Sequence, residues 1–331
     1  MSGPVSDPVL SAARAAASSG AWGSARAVLE GDTPGTARDG ARAILLAEAC
    51  LRTGDPRSAA RWLDAASPLL ATAGDRPSQR RAVNMQGAAA FALGTLDDAA
   101  DRFSVALEMA RTDGDALLTA RATNNLGTID ALRGNADRAI AAYQLAIPSY
   151  QRLGHTLGLA ECWHNLGISY RTRGELNAAD DAEQRAIEFA LEAGAPRLAA
   201  MAQVGRAEVS LRRGDFPWAR ATASRAAADF ARIPDFLLQA DALRVTADAA
   251  DRMGLATEAD ATLAEALTLA QLHGHRTQEA QALQTLALMM VRRGDLDAAR
   301  SAGSQARTAF SVLGSVLEAE EMAEFLAGLG R

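Results

Sequence analysis

The sequence predicts an all-α fold: a right-handed α-solenoid of about eight antiparallel helix pairs with a capping helix at the C-terminal end. Three observations carry that expectation. A turn glycine returns every 40 residues from Gly54 to Gly294 without an insertion or deletion. A second glycine series of the same period falls midway between the first. Alanine or glycine occupies three further fixed offsets in nearly every copy, as a tandem repeat of packed helices requires.

The first series runs through Gly54 (LRTGDPRSA), Gly94 (FALGTLDDA), Gly134 (ALRGNADRA), Gly174 (RTRGELNAA), Gly214 (LRRGDFPWA), Gly254 (DRMGLATEA) and Gly294 (VRRGDLDAA). A degenerate first copy sits at Gly20 (SSGAWGSARAVL), 34 residues before Gly54. The second series is Gly74, Gly114, Gly154, Gly194, Gly274 and Gly314, with Pro234 in the one gap. Each glycine follows a helical stretch, where a left-handed residue is wanted to stop a helix. Asp75 and Asp115 come next and are expected to cap the following helix. Every repeat therefore reads as helix A, turn, helix B, turn. Residues 1–6 read as a disordered tail and residues 7–331 as one superhelix. The segment SVLEAEEMAEFLAGLGR starts a ninth helix A without a partner, and over about 315–329 it reads as the solvating cap, with Glu318, Glu320, Glu321 and Glu324 on it.

The small residues point to packing rather than chemistry. Five positions after each turn glycine stand Ala25, Ala59, Ala99, Ala139, Ala179, Ala219, Ala259 and Ala299. Twelve after it stands alanine again, from Ala66 to Ala306. Seven before it stand Ala13, Ala47, Gly87, Gly127, Gly167, Ala207, Ala247 and Ala287. Where two helices cross closely, a larger side chain would force their axes apart.

Composition narrows the function. With 49% hydrophobic and 22% charged residues the chain can bury a sizeable core, and its abundant alanine favours helix. All 34 basic residues are arginine. A Walker-type phosphate loop, a Schiff-base lysine and a kinase lysine are thereby excluded. A net charge of −6 and a pI near 5.4 give no nucleic-acid footprint. Cys50 and Cys162 belong to no metal-ligand spacing and read as small buried residues of a reducing compartment. His155, His273 and His275 flank turn glycines and read as loop residues, not metal ligands. No basic and apolar leader opens the sequence, and no stretch is long and apolar enough to span a bilayer. The expectation is a cytoplasmic chain without a cofactor, a metal or a catalytic site, and with neither nucleic acid nor membrane as partner.

The segments WHNLGISYRTRGELNAADDAEQRAIEFA (163–190) and NNLGTIDALRGNADRAIAAYQLAI (124–147) resemble the tetratricopeptide repeat signature, matching it at Trp163, Leu166, Gly167, Tyr170, Gly174, Ala179 and Ala186. The 40-residue period exceeds the usual 34 or so. It resembles the long-helix sub-group that includes the LGN/Pins scaffolds, the Rap peptide-responsive regulators and the arrays of some bacterial transcriptional activators. The first repeat departs by being short, and repeats 6–8 lack the Asn-Leu-Gly motif.

That resemblance implies that the A helices line a concave groove. Positions counted back from the turn glycine then stack side by side across repeats 3–5. They present Arg81 and Arg121 with Asn84, Asn124, Asn125, Thr128, His164 and Asn165. An asparagine amide can both donate to and accept from a peptide unit, and arginine offers a fork for a carboxylate. In related arrays Asn at the Asn-Leu-Gly position serves this purpose, which carries over to Asn125 and Asn165. Glu48–Arg52, Glu208–Arg212 and Asp248–Arg252 read as i,i+4 pairs along single helices. Asp241, Asp248 and Asp251 make the far end more acidic.

The expected function is a protein–protein interaction adaptor that holds a partner's peptide or helix, with an acidic residue or C-terminal carboxylate, in the groove. Two alternatives stand beside it: a peptide-responsive sensor acting on a separate output protein, and a self-assembling homo-oligomeric scaffold.

Overall fold

The computed structural model describes residues 7–233, 235–313 and 315–330, so residues 1–6, Pro234, Gly314 and Arg331 lie outside the described residues. Among the described residues there are eighteen helices and no strand. The chain divides into two compact units, 1–155 and 156–331.

The first unit holds α1 (Pro8–Ser18) and α2 (Trp22–Glu30), a single extra turn α3 (Thr33–Thr36), then the pairs α4 (Gly40–Arg52) with α5 (Pro56–Ala73), α6 (Arg76–Ala92) with α7 (Leu96–Thr112), and α8 (Ala116–Leu132) with α9 (Ala136–Arg152). The second holds α10 (Thr156–Thr172) with α11 (Leu176–Glu192), α12 (Pro196–Arg213) with α13 (Phe216–Arg232), α14 (Phe236–Arg252) with α15 (Ala256–Leu272), α16 (Arg276–Arg293) with α17 (Leu296–Leu313), and the unpaired α18 (Val316–Gly328). Eight pairs and a terminal helix match the sequence expectation; α3, in the irregular stretch after the short first repeat, was not foreseen. Within each unit successive A helices touch one another, α4 with α6, α10 with α12, α12 with α14, α14 with α16, so they line the inner side of the stack.

Each turn is a two-residue device. Gly54 sits at φ 78° and Gly74 at φ 65°, left-handed conformations that cost an L-residue about 1–2 kcal/mol. The backbone then doubles back, Asp55 N–H donating to the Cys50 carbonyl at 2.8 Å in the Schellman manner. The same Asp55 opens α5, its carboxylate accepting from Ser58 N–H at 3.0 Å. Asp75 and Asp115 cap α6 and α8 in the same way, through Ser78 and Leu118. The Ser58 hydrogen bonds and Arg26 hold the Asp55 carboxyl down at about 2.

The fixed alanines are core. Ala25, Ala59, Ala99, Ala139, Ala179, Ala219, Ala259 and Ala299 are all at 0% exposure. The third small-residue position divides into two classes that the sequence reading had merged. A Cβ on Gly87 would lie 2.6 Å from the Phe103 ring, and one on Gly127 2.8 Å from the Tyr143 ring. A Cβ on Gly167 would lie 2.8 Å from the Glu183 side chain. The residue sixteen positions on is thus bulky where glycine stands. Where alanine stands, it is Leu29, Leu63, Ala223, Leu263 or Gly303. Glycine makes room for a ring or for the Glu183 side chain, and alanine suffices for leucine or a smaller residue.

Successive repeats are also tied by arginine. Arg76 and Arg80 both reach Asp113, Arg197 reaches Asp235, and Arg292 and Arg293 share Asp251. These partners are separated by about one repeat in sequence because stacking places equivalent turns side by side. The acidic far end expected from Asp241, Asp248 and Asp251 is therefore neutralised: Arg244 holds Asp241, and Arg252 and Arg292 hold Asp248. Of the three expected intrahelical pairs, only Asp248–Arg252 forms, at 3.3 Å. Glu48 turns to Arg81 of the next repeat, and Glu208 to Arg171 and Arg244 on either side.

Candidate functional site

The first unit carries six of the expected groove residues, on the A helices α6 and α8. Asn125 donates to Asn84 across that helix pair at 3.4 Å, so the stacking expected from the repeat holds for these two amides. Arg81 is exposed and engages Glu48. Arg121 is exposed and lies 3.3 Å from His155 Nε2. Arg121 and burial together lower the basicity of His155, so at neutral pH the ring is uncharged and able to accept from the guanidinium. Each arginine is thus held by a neighbour.

Two of the expected residues belong to the interior instead. Asn124 is only 6% exposed, and His164, in the second unit, 8%. A helix has one inward stripe, and positions one residue apart on it point about 100° from each other, so Asn124 and Asn125 cannot both face outward equally. Thr128 lies beside them, its hydroxyl donating to the Asn124 carbonyl at 3.2 Å and accepting from Tyr143 at 3.4 Å. Asn165 on α10 is half-buried.

The second unit contains a site the sequence reading missed. Position nine after the turn glycine is Leu29, Leu63, Phe103 and Tyr143 in the first copies, all buried, and then Glu183 in α11. Glu183 is at 0% exposure, in the place of an aromatic ring. Its Oε2 lies 2.8 Å from His164 Nδ1, while Oε1 has no hydrogen bond and stands 4.0 Å from Arg171. Burial pushes its carboxyl above the usual range, opposed by His164 and Arg171. A charged residue in a column of apolar ones was the signal available in the sequence.

Arg171 continues the network. Its Nη2 pairs with Glu208 at 2.7 Å, and Glu208 pairs with Arg244 at 2.8 Å. Despite its burial, Glu208 is held below the usual carboxylate range by the Arg171 and Arg244 charges. Beside this chain opens a cavity of about 200 Å³ between α10, α12, α13 and α14. Ile168, Met201, Val204, Phe230 and Leu238 make its apolar walls, and His164, Arg171, Glu208 and Asp241 its polar ones. Buried charges are costly unless paired, and clusters of them beside a cavity mark candidate functional sites. Among the described residues, no group of three or more His, Cys, Asp or Glu side chains is placed to hold a metal ion. Cys50 and Cys162 are both buried, and burial raises both thiols. Among the described residues no helix is long and apolar enough to cross a membrane.

Residues 118–192 match the tetratricopeptide repeat family model. No curated protein matches the sequence. Solved structures share the fold over almost the whole chain. A Rap protein complexed with Competence and Sporulation Factor is 12% identical, with a TM-score of 0.66 over 97% of this chain and 96% of that one. The apo quorum sensor NprR from B. thuringiensis is 12% identical, with a TM-score of 0.62 over 98% of each chain. A tetratricopeptide repeat protein from Parabacteroides merdae is 16% identical, with a TM-score of 0.57 over 87% of this chain and 98% of the other. The 40-residue helical hairpins, the match over residues 118–192 and these likenesses agree on the fold: the chain is a helical repeat array whose residues 118–192 match the tetratricopeptide repeat model and whose fold is similar to that of the Rap protein.

Proposed function

We propose that the chain is a protein–protein interaction adaptor whose A-helix faces hold a peptide or helix of a partner protein, and that it catalyses no reaction. The observation that carries this reading is the A-helix face of the first unit, where the Asn84–Asn125 amide pair lies among the exposed guanidiniums of Arg81 and Arg121. Neighbouring amides can take both sides of an extended backbone, and the arginines a carboxylate from an acidic residue or a chain end. Asn165 supplies a further amide on the second unit's first A helix. The Rap likeness supports the reading, because that structure carries a bound factor on the same fold.

A regulatory form of the same activity has one observation in its favour: NprR, similar over the full length, is a quorum sensor. In that form a bound peptide would alter the chain's hold on a separate output protein.

The test is capture of a partner by the intact chain, its reduction to the shortest binding segment, and calorimetric titration of that segment. Arg121→Ala is expected to weaken binding about tenfold, since a charge-assisted contact contributes roughly 1.5–3 kcal/mol. Asn125→Ala with Asn165→Ala should weaken it by a similar factor, with circular dichroism unchanged in both. Equal binding by all three proteins would remove the groove and leave the outer helix faces or the chain ends as the surface.

A further inference from the structure

The cavity of the second unit has the dimensions and the lining of a receptor for one side chain. At about 200 Å³ it is smaller than the roughly 300–1,000 Å³ of sites that hold drug-sized ligands. It is larger than the roughly 150 Å³ that suffices for a benzene ring in an apolar cavity. Its apolar walls come from four helices, with Ile168 on α10, Met201 and Val204 on α12, Phe230 on α13 and Leu238 on α14.

The polar side is organised rather than merely charged. Glu208 is saturated, each oxygen taken by a different arginine. Arg171 is not: Nη2 is committed to Glu208, while Nη1 has a long contact to the Gly205 carbonyl at 3.5 Å and stands 4.0 Å from Glu183 Oε1. On the same helix, two turns earlier, His164 gives Nδ1 to buried Glu183. In the tautomer that donates from Nδ1 to this carboxylate, the other ring nitrogen, Nε2, is an acceptor. One helix therefore offers an acceptor and a donor seven residues apart beside an apolar hole. That combination complements a peptide unit attached to an apolar side chain.

Glu183 makes sense in this setting. A carboxylate in the position of Tyr143 costs stability, and both Gly167 and Gly205 are needed to leave it room. What it secures is the tautomer and orientation of His164 and, through its charge, the placement of Arg171.

We propose that this cavity is an anchor subsite for a single apolar side chain of phenylalanine or leucine size, with the adjoining peptide unit donating to His164 and accepting from Arg171, and with Glu183 as the positioning residue. The proposal takes its occupant, a segment of a partner protein, from the adaptor reading above. It is tested independently of any partner. The full chain with labelled Ile, Leu, Val and Met methyl groups is titrated by NMR with N-acetyl-phenylalanine methylamide, N-acetyl-leucine methylamide, N-acetylglycine methylamide and benzene.

The phenylalanine and leucine compounds and benzene are expected to shift the methyl signals of Ile168, Met201, Val204 and Leu238 saturably, and the glycine compound not to shift them. Ile168→Phe, which fills the hole from its wall, should abolish the shifts without loss of helical signal. Arg171→Gln should weaken the phenylalanine compound about tenfold while leaving benzene unaffected. Glu183→Gln should change the imidazole nitrogen shifts of His164 and weaken the same compound, a readout that a purely structural role would not move. Absence of saturable shifts, equal shifts with the glycine compound, or full affinity in Arg171→Gln would overturn the proposal. Failure of the adaptor reading looks different: a partner segment indifferent to Arg121 and Asn125, with these titrations unchanged.

Discussion

The match between a glycine and the ring above it gives the sharpest test of the packing. Replacing Gly127 by alanine adds one methyl group at the crossing of α8 and α9. In isolation that change favours helix by about 1 kcal/mol. The new Cβ would lie 2.8 Å from Tyr143 Cε1 and 3.0 Å from Ala142 Cβ, and Tyr143 is only 1% exposed, so its ring has nowhere to retreat. Overpacking of this kind costs roughly 1–3 kcal/mol, so the expected net loss is about 0–2 kcal/mol. Tyr143→Leu alone leaves a void over Gly127 and should cost about 2 kcal/mol. Together the two changes recreate the alanine–leucine pairing that stands at Ala47 and Leu63, both fully buried in the same unit. The double variant should therefore lose about 1 kcal/mol instead of the roughly 2–4 kcal/mol expected from addition. Urea unfolding followed by circular dichroism measures the totals, with the slope watched because repeat arrays can open in parts. Hydrogen exchange in α8 and α9 locates the effect. Additivity within about 0.5 kcal/mol would refute the size-matching explanation.

Three further outcomes follow from the same geometry. Asp115→Ala removes the cap on Leu118 N–H and a partner of Arg80, and should cost about 1 kcal/mol by urea unfolding, with exchange fastest at the start of α8. Glu208→Ala leaves Arg171 and Arg244 facing each other without their shared carboxylate; a loss of about 2–3 kcal/mol is expected, and Glu208→Gln should recover only a minor part. Glu183 binds its proton more tightly folded than unfolded, so the unfolded chain releases it first as pH rises through the ordinary glutamate value of 4.5. Stability attributable to this group is then present below that pH and declines above it. Wild type should lose stability relative to Glu183→Gln over this range, and parallel curves would show that His164 and Arg171 compensate fully.

Much of this architecture could be read from residue spacing because each rule involved is local. A left-handed glycine, an aspartate cap and a fully enclosed alanine leave marks at fixed offsets, and Gly54, Asp115 and Ala139 bear them. What could not be read was which partner a long side chain chooses. Glu48 and Glu208 each had an arginine four residues on, yet both bridge to other repeats, since side-by-side helices bring guanidiniums as near as the next turn does. The groove was legible as a row of A-helix positions, but burial depends on helix rotation within the stack. Hence Asn125 remains accessible while Asn124 turns inward. Glu183 was visible in principle, as the one acid in a column otherwise held by apolar residues and glycine. Its role emerges only once His164 and Arg171 are seen beside it.

The two classes of small residue also act as a compatibility code between cassettes. Removing residues 95–134 would join the Gly94 turn to Asn135 and set Gly87 under Tyr143, a glycine beneath a ring as before. Removing residues 55–94 would set Ala47 under Phe103, a pairing the chain never uses. Both deletions keep the 40-residue phase, the turns and the caps, yet only the first keeps the fit. Growth or shrinkage of such an array by whole repeats is thus restricted at particular seams, and in the first unit the permissive seam lies between its last two full repeats.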